Sequence, residues 1–333
     1  MISDTMNAEG TTLLFGTSIS MGTSPLLITG MTRAGTSWLG KMLAASGSVV
    51  YINEPLNVRH PNGLLLNAGP RHRYEYITRE NESEFLDSFR KLLQLGLPIW
   101  TTIWSRYSAP DRLRAIRYSG DFLAGRLRHR RPMLDDPFAV FSAEWFSTAL
   151  NCQTVIIVRH PAAIVSSRKG LGWKIDFRDF LNQPLLMRDW LHPFRVEMET
   201  MLATPDDIIG QGSLLWRMIY YAVWETKRRF PWIHIVRHED LSMNPVAEYA
   251  RLYKQLGLHF SPRVQRTIEC STSGKVEAKA FSWSGFSRTS FQPMDSRSNV
   301  KRWQQRLTSD EIARILELTR DIACLYYSDQ DWK

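Results

Sequence analysis

The sequence predicts an α/β protein with a central, mostly parallel sheet flanked by helices, and three observations carry that expectation. Short apolar runs at 25–30 (PLLITG), 154–158 (TVIIV) and 232–236 (WIHIV) have the length and composition of buried strands. A glycine-bearing loop joins the first run to a helical stretch ending near Gly47, which makes a strand-loop-helix unit. An amphipathic stretch from Ser213 to Arg229 precedes the third run, a spacing that suits a crossover between parallel strands.

Taken in order, residues 1–24 are rich in Gly, Ser, Thr and Met without periodicity, and they read as a weakly ordered leader. Their apolar positions are interrupted by Gly16, Ser18, Ser20 and Gly22 and lack a positively charged start, which argues against a signal peptide. Residues 25–333 read as one domain, because no linker marks a second and a 333-residue chain that is 44% hydrophobic can bury one large core. The second strand runs through Arg159 and His160 into Pro161, placed at a helix start where proline is tolerated. Further helices are expected over 245–256, closed by Gly257, and over 308–327, opened by a capping box of Thr308 and Glu311. Residues 56–131 and 171–212 have no clear strand pattern and carry many Arg, Trp and Pro. They read as insertions over a sheet edge, where an acceptor pocket would be built.

The net charge of +9 suits a polyanionic partner, and Arg is concentrated between Arg106 and Arg131, ending in RLRHRRP. A solvated basic face and an anion-binding surface both remain open for that run. Aromatic residues are not interleaved with it as a nucleic-acid groove requires, so no nucleic acid partner is expected. No apolar run is long enough to cross a bilayer. Cys152, Cys270 and Cys324 are an odd number at wide spacings, which fits neither a disulfide framework nor a zinc site and implies a reducing, cytoplasmic setting.

The stretch Gly30-Met31-Thr32-Arg33-Ala34-Gly35-Thr36-Ser37 follows a strand and opens a helix. Glycines there permit close backbone approach, successive amides can cradle an anion, and the helix N-terminus adds positive potential. Thr36 and Ser37 add hydroxyl donors. A nucleoside triphosphatase loop has Lys at the position of Thr36, reaching the phosphates beside magnesium. Here the cation stands inside the loop, at Arg33, so the bound anion should differ from a magnesium triphosphate. The plainer alternative is a glycine turn capped by Thr36 or Ser37, with Arg33 in solvent.

The loop TRAGTSW resembles the 5′-phosphosulfate loop of sulfotransferases that use 3′-phosphoadenosine 5′-phosphosulfate (PAPS). Two further stretches resemble that family in the same order. VRHPAAIVSS (158–167) is similar to its 3′-phosphate motif, an Arg followed eight positions later by a Ser. VRHEDLSMNP (236–245) is similar to its Tyr-Glu-Asp-Leu segment ending in Pro, with His238 in place of Tyr. The resemblance implies a P-loop-like sulfotransferase fold and transfer of a sulfuryl group from PAPS to a hydroxyl, leaving 3′-phosphoadenosine 5′-phosphate (PAP), with no metal. It also implies that Arg33 contacts the phosphosulfate, while the backbone from Ala34 through Gly35 and Thr36 to Ser37 and the two hydroxyls hold its oxygens. Fixed donors at the bridging oxygen, where charge develops, would lower the barrier. By the same resemblance Trp38 stacks on adenine, and Arg159 with Ser167 takes the 3′-phosphate, which ATP lacks. His238 either meets the base or is structural. SRSNVKRW (296–303) resembles the loop preceding a Trp that closes over the 3′-phosphate, with Arg297 as the expected contact and Lys301 and Arg302 open to being solvated charges.

A hydroxyl acceptor gains from a general base within hydrogen-bond reach. Glu54, in INEP (52–55), matches the Glu-Pro of carbohydrate and protein-tyrosine sulfotransferases, where the Glu is the proposed base; a carboxylate capping the turn is its plainer reading. The rival is Asp135-Asp136-Pro137, with Asp136 as the second candidate. Bacterial relatives usually have Lys-Asp-Pro there, so Asp135 stands where a cation is expected. Two neighbouring carboxylates supply fewer oxygens than a hard cation needs. The expected partner is a small-molecule or glycan hydroxyl, on a carbohydrate, lipid or natural product. Two other classes stay open: a P-loop kinase using Mg-ATP, disfavoured by the missing Lys, and a catalytically inert nucleotide-binding module, suggested by Asp135.

Overall fold

The structure, a computed structural model, describes residues 24–58, 65, 69–96, 119–273 and 295–333. The expected leader lies outside the described residues except for Ser24, as does much of the 56–131 insertion.

Five strands, β1 (Leu26–Gly30), β2 (Val49–Asn53), β3 (Arg131–Asp135), β4 (Gln153–Val158) and β5 (His234–Arg237), form one sheet in the order β2-β3-β1-β4-β5. All four neighbouring pairs are parallel. β1 and β3 are buried along their whole length, as central parallel strands covered on both faces must be. The three expected strands are present, the third starting at His234 rather than Trp232, which lies exposed in the preceding turn.

β2 and β3 were not legible as strands. VVYIN is short and runs straight into Glu54-Pro55, and RPMLD carries a proline and ends in carboxylates. Pro132 is tolerated because it lies near the strand's start, before the stretch from Met133 onward that pairs with β1.

The helices that frame the site are α1 (Thr36–Ala44), α2 (Ala143–Ala149), α3 (Pro161–Leu171), α4 (Ile208–Arg229), α5 (His238–Met243), α6 (Pro245–Gln255), α7 (Pro262–Thr272) and α8 (Ser309–Ala323). α1 ends three residues before Gly47 and α8 four before Tyr327, where each expected helix was longer. The capping box of Thr308 and Glu311 is formed. α4 starts at Ile208, inside the stretch read as an insertion, because Asp207 caps it by accepting from the Gly210 amide. Its last turn carries Lys227, Arg228 and Arg229, which complement the helix dipole as the chain turns toward β5.

Since every strand runs the same way, Gly30, Asn53, Asp135, Val158 and Arg237 all end at one edge of the sheet. The phosphate loop, Glu54, Asp136, Arg159 and His238 all leave from that edge, where ligands of open parallel sheets bind.

Candidate active site at the carboxyl edge of the sheet

The first and third sequence patches pack directly on one another. Gly35 has φ 107°, and a Cβ built there would lie 2.8 Å from the His238 ring, so only glycine lets the loop sit against α5. Arg33 is also left-handed, at φ 76°. α1 opens without a side-chain cap and without an acidic residue in its first turn, so its amides and positive potential face the loop.

The second patch meets the first across 134 residues of chain. Arg33 Nε donates to Ser167 Oγ at 3.0 Å, and Arg159 Nη1 donates to the Arg33 carbonyl at 3.0 Å. Burial, then the charge of Arg306, lowers the Arg33 pKa. Burial lowers that of Arg159 too; Glu239 opposes this and Arg33 adds to it. Two partly buried guanidinium groups this close repel each other, and an anion between them removes that cost. Arg159 Nε is buried without a hydrogen-bond partner, so the pair retains a donor to offer.

Glu239 bolts the third patch to the second. Its Oε1 accepts from the His160 amide and its Oε2 from the Tyr327 hydroxyl, each at 3.0 Å. His160 sits in an aromatic box, stacked on Trp303 with ring centroids 5.0 Å apart and edge-on to Tyr327 and Trp332. Burial pushes its pKa down to about 3, so this imidazole is neutral. Trp38 is buried, with its ring 5.3 Å from His238 and 5.7 Å from Tyr249. His238 is buried as well, with Nδ1 3.3 Å from Ser242 Oγ, and burial followed by the Arg159 charge holds its pKa well below the usual range. Arg297 is exposed and donates to the Met243 carbonyl at 3.1 Å; among the described residues no hydrogen bond joins it to Arg33, Arg159 or Ser167. Arg306 was missed in the sequence, where nothing separates it from neighbouring surface charges. Trp173, whose ring lies 5.9 Å from the Arg33 guanidinium, was missed as well.

At the other end of the edge three carboxylates gather around the end of β3. Glu54 is partly exposed and has φ 46°; its amide donates to the Asp135 carbonyl at 2.8 Å and its Oε2 accepts from Asn57 Nδ2 at 2.6 Å. Asp136 is wholly buried. Its Oδ2 accepts from the Leu56 amide at 2.6 Å and its Oδ1 from the Phe138 amide at 2.9 Å, which ties the Glu54 turn to β3. Burial raises its pKa well above the usual range. Asp135, also wholly buried, accepts from the Tyr51 hydroxyl, and its Oδ1 has no partner. Its pKa is pushed up to about 7, by burial first; hydrogen bonds from Tyr51 and Thr36 and the Lys41 charge oppose this, and Glu54 adds to it. Asp135 thus connects the β3 end to the phosphate loop through Thr36.

The basic run contributes structure at its end. Arg131 is buried and donates to the carbonyls of Ser24 and Leu256 and to Gln153 Oε1. Among the described residues no group of three or more His, Cys, Asp or Glu could hold a metal ion, and no helix is long and apolar enough to cross a membrane. The three cysteines are unpaired, Cys152 buried and the other two exposed.

A family model described as the sulfotransferase domain matches residues 23–323. Carbohydrate sulfotransferase 1 of Danio rerio is 26% identical over 189 residues, which cover 54% of this chain and 38% of that protein. The match therefore spans well under half of that relative. Among solved structures, the sulfotransferase domain from the curacin biosynthetic pathway aligns over 92% of this chain and 99% of its own at 14% identity and TM-score 0.45. The sulfotransferase domain of a Synechococcus olefin synthase aligns over 92% and 96% at 14% identity and TM-score 0.46.

Proposed function

The chain belongs to the sulfotransferase family, and from that premise we propose that it moves a sulfuryl group from PAPS to a hydroxyl of a carbohydrate, lipid or natural-product acceptor, without a metal. The observation that carries the donor assignment is the contact of Arg33 with both Ser167 and Arg159. It joins the two patches that the family resemblance gives to the 5′ and 3′ ends of one nucleotide. The residues suit such a group: Arg159 keeps an orphaned buried donor, Gly35 allows close approach, and the α1 amides are uncapped.

PAPS, when bound, supplies the activated sulfuryl group and a leaving phosphate. Arg33 and the loop amides from Ala34 to Ser37 stabilise the charge that grows on the leaving oxygen, and because they are already fixed they need no reorganisation. Arg159 and Ser167 hold the 3′-phosphate and fix the nucleotide's register. Glu54, at the opposite end of the edge, accepts the proton of the attacking hydroxyl, while Asp136 positions its turn. His238 and Trp38 form the wall on which the base rests. Arg297 would have to release the Met243 carbonyl to reach the 3′-phosphate.

Titration of the pure protein with PAP, PAPS and ATP tests this reading. PAP and PAPS are expected to bind at least about tenfold more tightly than ATP, with turnover that survives EDTA. Preference for ATP, with activity lost on chelation and restored by magnesium, would replace it with the kinase reading.

A further inference from the structure

Beside the phosphate loop lies a half-open cavity of about 250 Å³ between the two inserted stretches, lined by Arg71, Arg73, Tyr74, Lys174, Asp179 and Phe180, among others. Most of its charges are committed elsewhere. Arg71 pairs with Glu84, Lys174 with Asp206 and Asp176 with Arg178; Asp179 accepts from His72 and from the Arg73 amide. The Arg73 side chain is different. Its Nε is buried without a hydrogen-bond partner, and no carboxylate among the described residues pairs with its guanidinium. The rings of Trp173 and Phe138 lie 5.8 and 6.0 Å from it. They stabilise the charge, but they do not replace the oxygen acceptors its N–H groups lack.

Trp173 also links this cation to the loop, since the Arg33 guanidinium lies 5.9 Å from the same ring. Resting on the sulfuryl-transfer reading above, we propose that the acceptor carries an oxyanion, a carboxylate or an ester of sulfate or phosphate, which pairs with Arg73. Its reacting hydroxyl would then be presented toward Arg33, across the Trp173 ring that both guanidinium groups approach. A planar guanidinium with free donors in a partly enclosed cavity suits bidentate pairing, and its pairing fixes the acceptor's orientation toward the loop.

Phenyl β-D-glucuronide and phenyl β-D-glucoside share their ring hydroxyls and differ in the carboxylate, so they probe this directly by titration calorimetry on the full chain. The glucuronide is expected to bind at least about tenfold more tightly at low salt. Arg73→Gln should erase the difference and Arg73→Lys should keep part of it, with circular dichroism melts showing that both variants fold. Equal affinities, binding of neither probe, or a preference surviving in Arg73→Gln would overturn the proposal. PAP titration in parallel separates the two readings: loss of PAP binding strikes the donor assignment, while discrimination between the two glycosides is read without donor or turnover.

Discussion

The two ends of the sheet's carboxyl edge are built alike and charged oppositely. At the β1-β4-β5 end, Arg159 donates to the Arg33 carbonyl, Arg33 donates to the Ser167 hydroxyl, and Arg159 retains a donor. At the β2-β3 end, Asp136 spends both oxygens on backbone amides, Asp135 is sealed beneath α1, and Glu54 stands partly exposed above them. In the proposed reaction that division lets one edge hold an anion and still take up a proton. Cations stand where the phosphates would bind, and carboxylates where the hydroxyl would lose its proton, so neither cancels the other.

The sharpest way to break this division is to remove the cation that marks one end. Arg159→Ala is expected to weaken PAP by about 2–4 kcal/mol, since it leaves a phosphate unpaired in a partly closed site. Adenosine 5′-phosphosulfate, which lacks the 3′-phosphate, should bind nearly as before. Equal losses for both nucleotides would show that Arg159 supports the loop through the Arg33 carbonyl alone. At the other end, Glu54→Gln keeps the shape and the bond to Asn57 but removes basicity. Turnover should fall on the order of a hundredfold or more with PAP affinity nearly intact. Near wild-type turnover would move the base elsewhere on the acidic end.

Asp136→Asn separates support from chemistry. An amide can replace only one of the two acceptors that hold the Leu56 and Phe138 amides, so a loss of about 1–3 kcal/mol in stability is expected by denaturant titration. Any fall in turnover should be smaller than for Glu54→Gln. An unchanged midpoint joined to abolished turnover would make Asp136 the base instead.

The cationic end was legible in the sequence because it is written in short, local patterns. A loop of fixed length leads into a helix, and the spacing of Arg159 and Ser167 puts one just before α3 and the other about two turns into it. The acidic end was less so. β2 and β3 look like loop because Pro132, Pro55 and the paired aspartates interrupt their apolar runs, and only their pairing with each other and with β1 makes them sheet. The two amides that Asp136 binds, at 56 and 138, carry no sequence mark, nor does Arg73, whose environment is set by inserted stretches meeting in space. His160 read as part of a phosphate motif, but the aromatic rings around it come from the far end of the chain, at Trp303, Tyr327 and Trp332.

Asp135 yields the most specific signature, because it is a wholly buried carboxyl whose protonation changes within an accessible pH range. Its carboxyl, pushed up to about 7 in the folded protein against 3.8 in the unfolded chain, binds its proton more tightly when folded. The stability it contributes is therefore fully present below about pH 4 and is lost as pH rises through about 7. Asp135→Asn cannot titrate, yet it still offers an oxygen to Tyr51, so it should melt progressively higher than wild type as pH is raised from 5 to 8. The gain should be on the order of 1–3 kcal/mol at the upper end, since linkage supplies about 1.4 kcal/mol for each pH unit between 5 and the folded value of about 7. His160 and His238, held neutral by burial, act in the opposite sense on the acid side, but they are common to both proteins and drop out of the difference. A gap between the two melting temperatures that stays constant with pH would mean that Asp135 is already ionised in the folded state. The acidic end would then carry one more fixed negative charge beside the phosphate loop, and the separation of the two ends by charge would be incomplete at Thr36.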